Sequence, residues 1–151
     1  MVADGVSDPE VWPFIFRSAA EAAPAVDYLR AEHLSIFAAE WTHWPGLTLA
    51  SRFAFDGSNR ACVGDIAEAT QLLEPPQPGW RLSGQAGNPR GGPAPGFVVL
   101  ADPAGRILGV APVESRRWQG YVPGVPPSIT AYAVLPGAKS VCAFATRALT
   151  R

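Results

Sequence analysis

Short apolar runs that alternate with Gly/Pro turns fill the second half of the chain and predict a β-rich fold. Residues 80–86 alternate apolar and polar positions, as a half-buried strand does. Residues 97–100 and 106–110 flank Asp102-Pro103-Ala104-Gly105, a type I turn signature, and residues 129–135 and 140–144 flank Pro136-Gly137. Short strands at this regular spacing are typical of an antiparallel sandwich or barrel.

The first half of the chain carries the helical patterns. Pro24 to His33 has apolar residues at spacings of three and four behind a proline suited to a first helical turn. Leu47 to Phe55 is typical of a strand, and Asp65-x-x-Glu68 matches a capping box that opens a helix to Leu73. We predict a mainly β, antiparallel sandwich with one or two N-terminal α-helices; an α+β fold is the alternative.

The predicted domain organisation is simple. Residues 1–23 form an extended N-terminal segment, in which residues 12–16 are strongly apolar, and residues 24–151 form a single domain. The Pro-rich stretch at residues 75–79 marks an internal boundary. With 48% hydrophobic residues and five Trp, we interpret the 16 Pro and 15 Gly as turn residues of a folded domain.

Charge and hydropathy exclude two classes of partner. The net charge is −1 and the twelve basic residues are scattered, so we predict no nucleic-acid binding. No stretch reaches the roughly 18 to 20 apolar residues that span a bilayer, so we predict no membrane insertion by this segment. The first residues lack the features of an export signal, which predicts a cytoplasmic location unless the chain is a piece of an exported or membrane protein.

Candidate catalytic chemistry is sparse. His33 and His43 have no Cys or carboxylate at metal-ligand spacing, so we predict no metal and no cofactor. Asp65 and Glu68 are better explained as helix caps than as an acid/base pair. A catalytic thiol at Cys62, with His43 as its base, is the weaker alternative. No catalytic residue is therefore assigned.

Two aromatic clusters are candidate ligand contacts. Trp41, His43 and Trp44 could form a platform for sugar rings, since C–H bonds pack on the electron-rich face of an indole. Arg116 and Arg117, beside Trp118 on the connection after Val113, could contact an anionic glycan or a lipid phosphate. The alternatives are tryptophans that close the core and a solvated turn.

Cys62 and Cys142 are the two cysteines, so one pairing is possible. In the loop-entropy model, a bond closing a loop of about 80 residues stabilises a fold by roughly 4–5 kcal/mol. Two buried, unpaired thiols acting as small hydrophobic groups are the alternative. The spacing alone leaves both readings open.

Several segments together resemble a known family. Residues 27–30 and 34–38, Cys62-Val63-Gly64, residues 79–84, the hairpin of residues 98–111 and the late Cys142 resemble the region after the last membrane span in bacterial membrane glycosyltransferases of the GT-C type. Such proteins join a multi-span catalytic part to a C-terminal extracytoplasmic β-domain. Where the resemblance leads us to expect an aromatic residue after Gly84, this chain has Gln85.

The resemblance implies a location and a role. It implies a periplasmic or extracytoplasmic domain with a Cys62–Cys142 disulfide, and a non-catalytic module of a cell-envelope glycosyltransferase-like membrane protein. Its expected partners are cell-envelope glycan or the membrane-spanning part of the same protein. Two alternatives are a structural domain that packs on a partner protein, with an apolar patch at residues 12–16, and a small stand-alone enzyme.

Overall fold

The computed structural model of the chain describes residues 23–25, 27–28, 31–32, 39–55, 62–73, 78–88, 91–135, 137 and 139–150. The chain divides into two compact units, residues 1–43 and 44–151. Three predictions lie outside the described residues. These are the extended segment up to residue 22, its apolar patch at residues 12–16, and most of the apolar face of the first helix, including His33.

In the first unit, the described residues are helical or turn. Residues 23–25, 27, 28 and 31 are helical, and the Glu32 N–H donates to the Tyr28 carbonyl over 3.0 Å. This agrees with the helix predicted from Pro24. A 3-10 turn follows at Glu40–His43, where the Thr42 hydroxyl donates to the Ala39 carbonyl over 2.7 Å.

The second unit contains one helical turn and nine strands in its described residues. They are α1 (Leu49–Arg52), β1 (Ala54–Phe55), β2 (Val63–Gly64), β3 (Glu68–Leu72), β4 (Gly79–Gly87), β5 (Phe97–Ala101), β6 (Ile107–Glu114), β7 (Arg117–Pro123), β8 (Ser128–Val134) and β9 (Ser140–Ala148). They pair in the order β1-β9-β8-β5-β6-β7-β4-β2, with β3 also on β4, and only β1 and β9 run parallel. The mainly β prediction is confirmed.

The sheet is sandwich-like because it folds over on itself at β6. Residues 107–112 of β6 pair with β5, whereas Val113 and Glu114 pair with β7. The inward side chains of the two halves then meet in one core, which comprises Ile66, Trp80, Leu82, Ala86, Val98, Leu100, Ala111, Trp118, Val122, Ile129, Ala131 and Leu149. In β7, buried residues that point into this core alternate with exposed ones, whereas Val98 to Ala101 of β5 are all buried, so β5 is covered on both faces.

A covalent bond joins the segment before β2, the last strand of the order, to β9, the second strand. A disulfide links Cys62, which precedes β2, to Cys142 of β9, with the Cα atoms 6.0 Å apart. In addition, the Arg147 guanidinium on β9 donates to the carbonyls of Ile66 and Ala67, each over 2.9 Å. The predicted disulfide is therefore present, and it closes the open side of the sandwich.

Two predicted elements are wrong. Residues 47–55 were expected to form a strand, but Thr48 caps α1, accepting from the Ser51 N–H over 3.3 Å, and only Ala54–Phe55 is strand. Residues 65–73 were expected to form a helix, but Glu68–Leu72 is the strand β3. Pairing with β4 supplies the backbone hydrogen bonds that the helix would have made internally.

Candidate functional site

Trp44 is a packing residue. Its side chain is 3% exposed and makes edge contacts with Phe53 and Phe97, at centroid distances of 5.0 and 6.0 Å. The Arg52 guanidinium lies 4.8 Å from the centre of the indole ring. An indole enclosed in this way offers no open face to a sugar ring, which favours the packing alternative for this residue.

Trp41 and His43 lie in the 3-10 turn of the first unit, and both are half-buried. Trp44 belongs to the second unit. A ligand contact by Trp41 and His43 stays a prediction.

The Arg116-Arg117-Trp118 cluster is part of a hairpin that the sequence analysis missed. Ser115 and Arg116 form its two-residue loop, with φ angles of 49° and 66°, so Arg117 and Trp118 belong to β7 and not to a loop connection. Two consecutive positive φ angles are the mark of a type I′ turn. The strand itself has an alternating signal, since Trp118, Gly120 and Val122 are buried and the residues between them are exposed.

Arg117 and Trp118 lie on opposite faces of β7. Trp118 is 3% exposed and packs edge-on against Phe144, at a centroid distance of 6.3 Å. Arg117 is exposed and lies directly opposite Glu114 on the neighbouring strand. A carboxylate at that position offsets the positive charge, so the pair is not a purely cationic site for phosphate.

A concavity of about 790 Å³ lies across the outer face of the β3-β4-β7 half. Its volume falls within the range of small-molecule sites. Its lining residues are mostly polar: Ala67, Glu68, Ser83, Gly84, Gln85, Pro112, Glu114, Ser115, Arg117, Trp118 and Gln119. Arg117 and Trp118, both predicted ligand contacts, are among them, whereas Arg116 is not.

Strand register arranges the polar side chains in two rows. Glu68 pairs with Ser83, and Ser83 pairs with Gln119, which makes one row across three strands. Gln85, Arg117 and Glu114 make the second row. Directly paired residues have Cβ atoms roughly 5 Å apart on one face. The rows therefore present hydroxyl, amide, carboxylate and guanidinium groups side by side.

Asp65 shapes the wall of the concavity between β2 and β3. The two short strands pair with separate parts of β4, and neither pairs with Gly84 or Gln85. Asp65 fills this break, because its N–H donates to the Gln85 carbonyl over 3.0 Å and its Oδ1 accepts from the Gln85 N–H over 2.9 Å. Arg147 donates hydrogen bonds to the carbonyls of the next two residues, Ile66 and Ala67. Together with the bonds of Asp65, these fix the chain that forms the wall at Ala67 and Glu68.

Tyr121 continues the same face beyond Gln119. Its side chain is 39% exposed and lies over Gly79 of β4, because a Cβ at position 79 would come within 2.6 Å of the tyrosine hydroxyl oxygen and 2.8 Å of its Cε2. A glycine at that place leaves room for an aromatic side chain from the neighbouring strand. Tyr121 is not distinguished in the sequence, since this contact depends on which residue faces it across the strands.

The structure gives few signs of titration or metal chemistry. Burial raises the pKa of the Tyr132 phenol above its ordinary value. Within the described ranges, no three His, Cys, Asp or Glu side chains are grouped so as to hold a metal ion. Within the same ranges, no helix has the length and apolar character to cross a membrane.

Comparison with protein-family models, with characterised proteins and with solved structures gave no match to this chain.

Proposed function

We propose that the chain is a non-catalytic module that works outside the cytoplasm and contacts cell-envelope glycan, as part of a glycosyltransferase-like membrane protein. The observation that carries the proposal is the Cys62–Cys142 disulfide. It joins the segment before β2, the last strand of the order, to β9, the second strand, and such structural disulfides persist in oxidising compartments. The polar concavity and the resemblance to GT-C membrane glycosyltransferases support the glycan part of the proposal.

Thiol labelling in intact cells tests the location. Spheroplasts that produce the protein with its native flanking sequence are treated with a membrane-impermeant maleimide, with and without a membrane-impermeant reductant. We expect labelling of both cysteines only after reduction, because an oxidised pair outside the membrane is protected until then. Labelling that needs lysis but no reductant would place reduced cysteines in the cytoplasm and would refute the proposed location.

A second function, a structural domain that packs on a partner protein, is favoured by a different observation. Val63 and Leu73 are large apolar side chains with 54% and 73% of their surface exposed; Val63 lies in β2, and Leu73 directly follows β3, at the edge that these two strands form. Exposed apolar side chains at a sheet edge are typical of contacts with another protein. Light scattering across a dilution series distinguishes this function: self-association that Val63→Ser and Leu73→Ser abolish would support it.

A further inference from the structure

We propose that the outer face of β3, β4 and β7 is the glycan-binding site and that it takes a neutral oligosaccharide lying along β7. Tyr121 supplies the stacking surface, and Ser83, Gln119 and Arg117 supply hydrogen bonds. This inference rests on the proposed function and deepens it by naming the surface and the class of ligand.

The aromatic surface of this face belongs to Tyr121, which is 39% exposed. Its ring reaches the neighbouring strand at Gly79, where a Cβ would come within 2.8 Å of the ring atom Cε2. A sugar ring binds an exposed aromatic surface through its C–H bonds.

Hydrogen-bonding groups follow the same strand on both sides of Gln119. Arg117, Gln119 and Tyr121 are alternate residues of one strand and share its outer face. At a strand rise of ~3.3 Å per residue they span about 13 Å, which suits an extended oligomer more than a single compact ligand. Ser83 and Gln85 lie opposite Gln119 and Arg117, so donors and acceptors continue on both sides of the path.

The charges on this face are balanced. Glu68, Glu114 and Arg117 line the concavity, and the exposed Arg81 pairs with Tyr121 beyond it, so the formal charges cancel. Carboxylates and guanidinium groups in equal number give no net attraction for a phosphate or a uronic acid, yet both form hydrogen bonds with neutral hydroxyl groups. The mixture of amides, carboxylates and guanidinium groups therefore favours a neutral polyhydroxylated ligand over an anionic one.

A glycan array that carries neutral and acidic oligosaccharides, followed by calorimetric titration of each hit, tests the inference. We expect neutral oligosaccharides to bind, and Tyr121→Ala and Gln119→Ala each to raise the Kd by about tenfold, the range of a lost stacking or polar contact. Tyr121→Phe keeps the ring and should bind like the wild type. Tyr28→Ala is the matched control, because Tyr28 is an exposed tyrosine in the first unit, outside the proposed site.

The possible outcomes distinguish failure of the proposed binding site from failure of the proposed function. Undiminished binding by folded Tyr121→Ala and Gln119→Ala variants would overturn the site while leaving a glycan-contacting function. Binding of acidic oligosaccharides alone, or of none, would overturn the neutral ligand, whereas the thiol labelling judges the location independently. Urea unfolding of each variant shows that it is folded, and Gln119→Ala remains informative if Tyr121→Ala destabilises the sheet by uncovering Gly79.

Discussion

At the residue scale, Asp65 makes the hydrogen bonds to β4 that a neighbouring strand would otherwise make. Its Oδ1 accepts from the Gln85 N–H at the place where neither β2 nor β3 reaches β4. A backbone N–H in a sheet that loses its acceptor costs free energy comparable to a lost hydrogen bond. The same carboxylate places the chain that leads to Ala67 and Glu68 in the wall of the concavity.

Asp65→Ala should therefore lower the free energy of unfolding by about 1 kcal/mol. Asp65→Asn is the matched control, because its amide oxygen can still accept from Gln85 and it should lose less than half as much. Urea unfolding followed by tryptophan fluorescence measures both values. Equal losses in the two variants would mean that the charge of Asp65, and not its acceptor atom, stabilises the fold.

The raised pKa of Tyr132 predicts how the free energy of unfolding changes at alkaline pH. Burial raises the pKa of its phenol, so the folded chain holds the proton more tightly than the unfolded chain does. The stabilising contribution is complete below about pH 10, where the phenol is protonated in both states, and it falls as the pH rises toward the folded pKa. Tyr132→Phe should flatten this part of a stability-against-pH curve, and an unchanged slope would contradict the assignment.

At the element scale, the turn of the β6–β7 hairpin is formed by residue types that rarely adopt its conformation. Ser115 and Arg116 both adopt positive φ, a conformation that costs ordinary residues free energy and that Asn and Gly tolerate. This turn also positions Glu114 opposite Arg117 at the rim of the concavity. The strain is therefore located at the end of the candidate site.

Replacing the pair by Asn-Gly, through Ser115→Asn and Arg116→Gly together, should raise the free energy of unfolding by about 0.5–1 kcal/mol. Replacing it by Ala-Ala should leave the strain in place and serves as the control. Thermal and urea unfolding measure the difference. A stabilisation that is equal in both variants would show that the removed side chains, and not the turn conformation, are responsible.

Local turn chemistry made the two late hairpins predictable. Asp102 accepts from the Gly105 N–H through its carbonyl and from the Arg106 N–H through Oδ1, and Gly105 has a φ of 79°. Every feature of that turn is encoded within five consecutive residues. In the second hairpin, Gly137 likewise has a positive φ, of 90°.

Non-local pairing made the edge strands and the site unpredictable. The spacing of Asp65 and Glu68 matches a helix cap, and only β4 as a hydrogen-bonding neighbour makes the segment a strand. The row of Glu68, Ser83 and Gln119 draws on three strands, and none of its members stands out in the sequence. The predicted tryptophans were selected by residue type, yet Trp44 and Trp118 are buried.

At the scale of the whole molecule, Arg147 is a second link, beside the disulfide, between β9 and the segment that joins β2 to β3. One guanidinium nitrogen serves the carbonyls of both Ile66 and Ala67, which join β2 to β3. Arg147→Met keeps the apolar stem but removes both bonds, so we expect a loss of about 1–3 kcal/mol in the free energy of unfolding. Arg147→Lys should restore part of it, since an ammonium can still donate; no recovery would indicate that the planar guanidinium is required.

The disulfide connects two parts of the chain that are distant in sequence. Cys62 and Cys142 are separated by 80 residues, and they join the segment before β2, the last strand of the pairing order, to β9, the second strand. Because the bond restricts the unfolded chain, replacing both cysteines by Ala should lower the free energy of unfolding by roughly 4–5 kcal/mol in the loop-entropy model. Urea unfolding of the wild type with a reductant should give a similar loss. A loss below about 1 kcal/mol in both experiments would mean that Arg147 and the core close the sandwich without the bond, and the argument for an oxidising compartment would lose its physical basis.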